Sequence, residues 1–389
     1  MMDEPPQARL MAGIPTLNAA LYRRIRFLVG DPVSIVEIEN ETGSSTATLI
    51  LRDIEIERAK AKARADRFAC PKDFEPSSGL SGDRETATAQ ATAECLRRHG
   101  VKTVMADRSL PLIFAEFICR AGLEVVCDVE WGIIERRQKD DQELAYIEKA
   151  QNVTEQVMRR ACETVANAKP DRFGKLSINN EPLTSERLRA MIDQWLIEQS
   201  FSNPESIVAG GPMGADCHEH GHGPLFTEQP IIIDIFPRDK STLYNGDCTR
   251  TVVNGPVSDP IRGMHEAVAA AKAAAAAVVK PGVTGHAVHQ VTSETIRKFG
   301  YSIGLPGSEH GDDYTAMTHG TGHGLGLEVH EPPLLADGGV ELLVGDVVTI
   351  EPGLYCRAIG GIRIEDMVVV TQDGCRNMNR LPEGLDWRS

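Results

Sequence analysis

Three histidines fall within twelve positions in His319-Gly-Thr-Gly-His323-Gly-Leu-Gly-Leu-Glu-Val-His330-Glu331, interleaved with glycines. Such a run makes a poor core element, because glycine weakens helices and strands alike and imidazole is costly in an apolar interior without partners. It reads as a site that other elements must be built around. Neutral imidazole is both a metal ligand and a proton carrier near neutral pH, and glycines let groups approach a ligand closely. Histidine alone does not complete a hydrolytic metal centre, which also needs counter-charge and further ligands. The plainer alternative is a glycine-rich surface loop with incidental histidines. What separates the two is whether carboxylates elsewhere in the chain converge on the run.

At 389 residues the chain is long enough for two domains. Residues 1 to about 135 alternate strand-like and helix-like runs, with strands at 33–39, 48–51, 101–106 and 123–127 and helices at 85–99 and 112–121. That is an α/β rhythm. Residues 53–68 are charged and alanine-rich and suggest a solvated helix, and 71–82 suggest a loop. No phosphate loop or metal spacing occurs here, so this part reads as a support domain. The charged junction Glu135-Arg-Arg-Gln-Lys-Asp-Asp-Gln-Glu143 marks the boundary, giving domains at 1–138 and 139–389. Beyond it comes a helix at 144–168, a second at 185–199, and strands at 207–209, 229–234 and 244–254. The order then recurs, with helices at 259–279 and 285–299 and strands at 346–351 and 362–370. A repeat of helix, helix and hairpin implies a pseudo-twofold arrangement with a shared site between the halves.

Both hairpins carry acids. Asp234 ends an apolar strand and Asp247 opens its return; Glu351 ends Val347-Val-Thr-Ile-Glu, and Glu365 lies on the second return. A lone inward carboxylate is costly, but four of them with an imidazole neutralise a pair of divalent cations. The formal charge of -15 offers no basic footprint for nucleic acid or an anionic membrane. No charged leader followed by an apolar run opens the sequence, and no stretch of about eighteen apolar residues spans a bilayer, so the expected location is cytoplasmic. The nine cysteines are scattered without a CxxC pair, which argues against a disulfide framework and a zinc ribbon.

The segments IIIDIFPRDKSTLYNGDCTRTVV, HGTGHGLGLEVHEPP, VVTIEPGLY and GGIRIEDMVVV, in that order over residues 140 to 372, resemble the pita-bread metallopeptidases, and among them the Xaa-Pro dipeptidases (prolidases) and aminopeptidase P enzymes. The resemblance implies an α/β amino-terminal domain followed by an α+β pita-bread catalytic domain with an internal pseudo-twofold repeat. It implies metal ligands Asp234, Asp247, His323, Glu351 and Glu365, with Asp247 and Glu365 bridging two ions. Glu351, His330, His218 and Arg363 take catalytic roles, and His319, His330 and His218 contact substrate. In Cys217-His-Glu-His-Gly-His222 the site histidine is His218, with His220 as the alternative. The two aspartates lie thirteen positions apart, two more than is usual in the family, so the loop between them is longer here.

Four oxygen donors and one nitrogen favour Mn(II), with Co(II), Fe(II) or Zn(II) able to substitute. The implied reaction is hydrolysis of the Xaa-Pro bond at the N-terminus of short peptides or dipeptides, by a homodimer. A metal-free creatinase-like hydrolase and a non-catalytic scaffold of the same fold are the alternatives.

Overall fold

Capped helices and β-branched strands account for most elements of the computed structural model, which describes residues 7–39 and 44–388. Two compact units are present, Met1–Arg136 and Arg137–Ser389. In the first, a six-stranded sheet runs in the order Arg67–Ala69, Ser45–Ile50, Val33–Glu39, Ala8–Gly13, Thr103–Asp107, Glu124–Asp128. Ala8–Gly13 is antiparallel to Val33–Glu39 but parallel to Thr103–Asp107, so the sheet is mixed. The helix Arg84–Arg98 starts where Asp83 accepts the Thr86 amide, and its Ala89, Ala91, Ala93 and Leu96 are buried with the apolar face of the sheet.

The expected solvated helix over 53–68 is shorter and more divided. A single 3-10 turn precedes a helix at Ile56–Lys62, and Arg67–Ala69 joins the sheet as an edge strand. The sheet ends the helix: the Asp66 amide donates to the Ala47 carbonyl, and the Ala47 amide to the Asp66 carboxylate. Among the described residues no helix is long and apolar enough to cross a membrane.

Within the charged junction Arg137, Lys139 and Glu143 are buried, whereas Gln138, Asp141 and Gln142 are exposed. Arg137 pairs with Asp346 at 2.7 Å and Lys139 with Glu331 at 3.3 Å. A capping box then opens the long helix Asp141–Ala166, with the Asp140 side chain accepting the Glu143 amide and the Glu143 side chain accepting the Asp140 amide. Ile147, Ala150, Val157, Ala161 and Val165 lie on its buried stripe. Beside that stripe the helix grips the first hairpin, because Gln151 donates to the Asp247 carbonyl at 2.8 Å and accepts its amide at 2.9 Å. A side chain at Gly246 would meet Thr154 Oγ1 at 2.3 Å, so glycine sets how close helix and hairpin come.

The first hairpin follows the expectation of an antiparallel return. Pro230–Ile235 pairs with Cys248–Val253, and Ile207–Gly210 flanks it. The second does not. In place of one strand over 362–370, Val347–Ile350 pairs with Asp366–Val370 in one sheet while Gly353–Cys356 pairs with Gly360–Arg363 in another. Pro352 cannot donate to a ladder, so the chain leaves the first sheet directly after Glu351. It returns across Ile364 and Glu365, which places both acids where the chain changes sheets.

A buried ion network fixes that crossing. Arg250 is wholly buried and donates to Asp366 at 2.7 Å and to the Glu365 carbonyl; Lys272 also reaches Asp366. Burial alone would raise the Asp366 carboxyl, but Arg250 and Lys272 hold it below its usual range. Its contribution to stability is therefore complete above the ordinary carboxylate range and is lost as pH falls through its lowered folded value. Asp366→Ala, which leaves the Arg250 guanidinium without a counter-charge, is expected to cost about 3–5 kcal/mol. Denaturant unfolding of wild type and variant, followed by tryptophan fluorescence, measures it.

Candidate metal centre

Register brings the first two acids together. Asp234 lies opposite Thr249 across the hairpin, and Asp247 is two residues before Thr249, so all three share one face. Glu365 meets the same point from the other half: its amide donates to the Thr249 carbonyl, and Thr249 Oγ1 donates to Glu365 Oε2 at 2.8 Å. His323 arrives on the strand Gly322–Gly324, wedged between Glu331–Leu335 and Val347–Ile350. A side chain at Gly322 would meet the Thr349 carbonyl at 2.0 Å, so glycine is what admits the imidazole here. The middle of the run, Gly322–Gly324, is thus a strand inside a sheet, and a loop carries the chain from there to His330.

All nine residues singled out in the sequence line one cavity of about 630 Å³: Asp234, Asp247, His323, Glu351, Glu365, His218, His319, His330 and Arg363. His220 lines it too, although its ring faces Glu205 at 3.2 Å. Donor atoms of Asp247, His323 and Glu365 lie within 4.8 Å of one another. His323 Nε2 is 4.0 Å from Asp247 and 3.3 Å from Glu351. Its Nδ1 lies 3.2 Å from the Gly324 carbonyl, which can only accept, so Nδ1 carries the proton and Nε2 turns its lone pair into the space among the acids, where a cation would receive it.

Four carboxylates face one guanidinium. Burial first, then Glu365, Asp234 and Glu351, lift the Asp247 carboxyl well above the usual carboxylate range. Burial, followed by Glu351 and Asp234, does the same for Glu365. Burial also raises Glu351, against the opposing fields of His319 and Arg363. It lowers His319, His323 and His330, so these rings are neutral at neutral pH. Arg363 holds Asp234 Oδ2 at 2.7 Å, and Asp234 Oδ1 is buried without a hydrogen-bond partner among the described residues.

Residues 145–372, well over half of the chain, match the sequence profile of metallopeptidase family M24. The chain belongs to metallopeptidase family M24. An Xaa-Pro dipeptidase of Pyrococcus furiosus is 29% identical over 253 residues, 64% of this chain and 64% of the relative. That alignment spans just under two thirds of the relative's length. The Xaa-Pro dipeptidase of Pyrococcus horikoshii is 28% identical over 294 residues, 74% of this chain and 75% of its own. In fold, the M24 chain resembles the X-Pro aminopeptidase of Thermotoga maritima, with a TM-score of 0.78 at 24% identity over 97% of each chain.

The donor set of this M24 chain suits divalent cations. An unpartnered carboxylate oxygen, two carboxyls held above their ordinary range by burial and by neighbouring acids, and a neutral imidazole are groups that a cation would satisfy together. Sequence reasoning missed the groups that orient them. Thr249 bonds Glu365, and Thr349 donates to Glu351 at 3.2 Å. Tyr355 joins Arg363, at 2.9 Å, to His319, at 2.7 Å. Because His319 Nδ1 faces the Gly320 carbonyl at 2.7 Å, its Nε2 accepts from the Tyr355 hydroxyl, and both ring nitrogens are occupied. Thr249 and Tyr355 lie inside segments already singled out, but only their position opposite the acids reveals the role.

In the ion-free protein the raised carboxyls make the folded state bind more protons than the unfolded one, so they favour folding as pH falls from neutral towards the ordinary carboxylate range. Cation binding must expel those protons. The rise in Tm on adding Mn(II) is therefore expected to be larger at about pH 7 than at about pH 5, as scanning calorimetry with and without the ion would show.

Proposed function

We propose that this chain is a dinuclear metal-dependent peptidase that cleaves the Xaa-Pro bond at the N-terminus of short peptides or dipeptides, as an Xaa-Pro dipeptidase or an aminopeptidase P. The convergence of Asp247, His323 and Glu365 donors within 4.8 Å carries the reading. The Xaa-Pro names of the relatives support the substrate class. Asp234, Asp247, His323, Glu351 and Glu365 would hold two ions, with the fully buried Asp247 and Glu365 shared between them and Mn(II) the first choice for so oxygen-rich a set. Such ions supply Lewis acidity toward water and toward the scissile carbonyl. The order helix, helix, hairpin, run twice along the second unit, supports a pseudo-twofold relation between its halves.

The chain's own groups do the rest. Glu351, its carboxyl raised by burial, accepts a proton from water and returns it to the departing amine. His330 lines the cavity, edge-on to His323 with ring centroids 4.3 Å apart, and donates to the carbonyl oxygen. Glu331 supports it by accepting the Leu327 and Glu328 amides, which folds the turn that presents the ring. His218 is the second donor. The contact of His220 with Glu205 favours His218 for this role. Arg363 keeps Asp234 oriented, and His319, with both nitrogens occupied, serves as a wall for the proline ring rather than as a donor. Proline offers no amide hydrogen, so recognition must use its ring.

Chelation is expected to abolish hydrolysis of Ala-Pro and added Mn(II) to restore it, with Ala-Ala cut far more slowly. Full turnover after exhaustive metal removal, or hydrolysis of creatine by the metal-free protein, would overturn the reading. Asp247→Ala should lose both bound ions and activity. His330→Ala should keep its metal content by elemental analysis while kcat drops by about a hundredfold or more. Equal metal loss in the two variants would make His330 a ligand instead.

A further inference from the structure

A second set of soft and borderline donors lies beside the centre and shares none of its ligands. The 3-10 turn Gly211–Ala215 ends in Asp216, Cys217 and His218, whose donor atoms lie within 4.8 Å of one another. The Asp216 side chain caps the turn: the His218 amide donates to Asp216 Oδ1 at 2.9 Å, which curls the carboxylate back over the two residues that follow. Around one zinc ion, with bonds of about 2.0–2.3 Å, tetrahedral ligands stand roughly 3.3–3.8 Å apart. The donors here are bounded at 4.8 Å, about an ångström beyond that range, and because Asp216 and His218 are exposed, side-chain rotation can bring them closer.

We propose that Asp216, Cys217 and His218 form an inhibitory site for Zn(II), whose occupation removes the His218 imidazole from the reaction. Thiolate with imidazole selects a thiophilic ion over the harder ions suited to the carboxylate centre. Three protein ligands leave a fourth position open, the pattern of an exchangeable site rather than of a closed structural one. The inhibitory consequence rests on the proposed reading of His218 as a substrate donor. The chemistry of the site itself does not.

Cobalt(II) tests the site without reference to turnover. The main centre contains no sulfur, so a thiolate-to-cobalt charge-transfer band appearing as the holoprotein is titrated with cobalt(II) reports a cysteine ligand. The band is expected in wild type and lost in Cys217→Ser. Its absence, or its persistence in Cys217→Ser, would overturn the site. For the inhibitory role, the zinc concentration that halves Ala-Pro hydrolysis is expected to rise at least about tenfold in Cys217→Ser and in the surface variant Asp216→Asn, each normalised to its own rate without zinc. Unchanged zinc sensitivity in both variants would overturn the inhibition. The spectroscopic result holds whether or not the chain cleaves Xaa-Pro bonds, so failure of that reading and failure of this site are told apart.

Discussion

Mutual repulsion among Asp234, Asp247, Glu351 and Glu365 is the constraint to which the second unit is shaped. Asp247 and Glu365 are almost fully buried, and burial together with neighbouring charge pushes both carboxyls far above their ordinary range. Groups under that strain separate unless something stiffer than a side chain holds them. Here the acids are fixed through their backbones. Gln151 grips both the amide and the carbonyl of Asp247, and the Thr249 carbonyl takes the amide of Glu365. Holding the main chain leaves the carboxylate oxygens available to a cation.

A layer of permanent charge stands behind this. Arg250 ties the Glu365 carbonyl to Asp366, and Lys272 joins Asp366 from the helix Asp259–Val278. Arg363 does comparable work on the other side, where it binds Asp234 and, through Tyr355, sets the tautomer of His319. The two guanidiniums have different tasks. Arg250 neutralises a group outside the cavity and stabilises the crossing of the sheets, whereas Arg363 lies inside the cavity and orients a proposed ligand. Both charges are internal, so removing either leaves a partner buried without compensation.

The His218 turn obeys other rules. Its donors are exposed or half-buried, and two of them, on Cys217 and His218, lie at the edge of the same cavity. A centre built from buried strands beside an exposed imidazole suits a reaction in which one partner must meet substrate while the other must stay fixed. The same exposure leaves that imidazole open to a competing ion.

Much of this was legible from the chain alone. Local signals set the helices, since capping residues such as Asp83 and the Asp140–Glu143 pair act within one turn. They also set the first hairpin, where Asp234 and Asp247 flank a single antiparallel return. The nine residues that line the cavity were singled out partly because strand-borne acids and a glycine- and histidine-rich run are conspicuous in sequence, and partly, as for His218 and Arg363, from the family resemblance. What the sequence could not say is decided by contacts between distant residues. The division of 346–370 between two sheets depends on what Gly360–Arg363 packs against, and the short helix in 53–68 depends on an edge strand waiting to pair. Thr249, Arg250 and Tyr355 look like ordinary strand residues until the fold sets Glu365, Asp366 and His319 beside them. The sequence alone determined which groups could do chemistry, because that is a property of side chains. Tertiary structure decided their distances and charge states, because these depend on neighbours distant in sequence, as Thr249 is from Glu365, and on burial that no local pattern encodes.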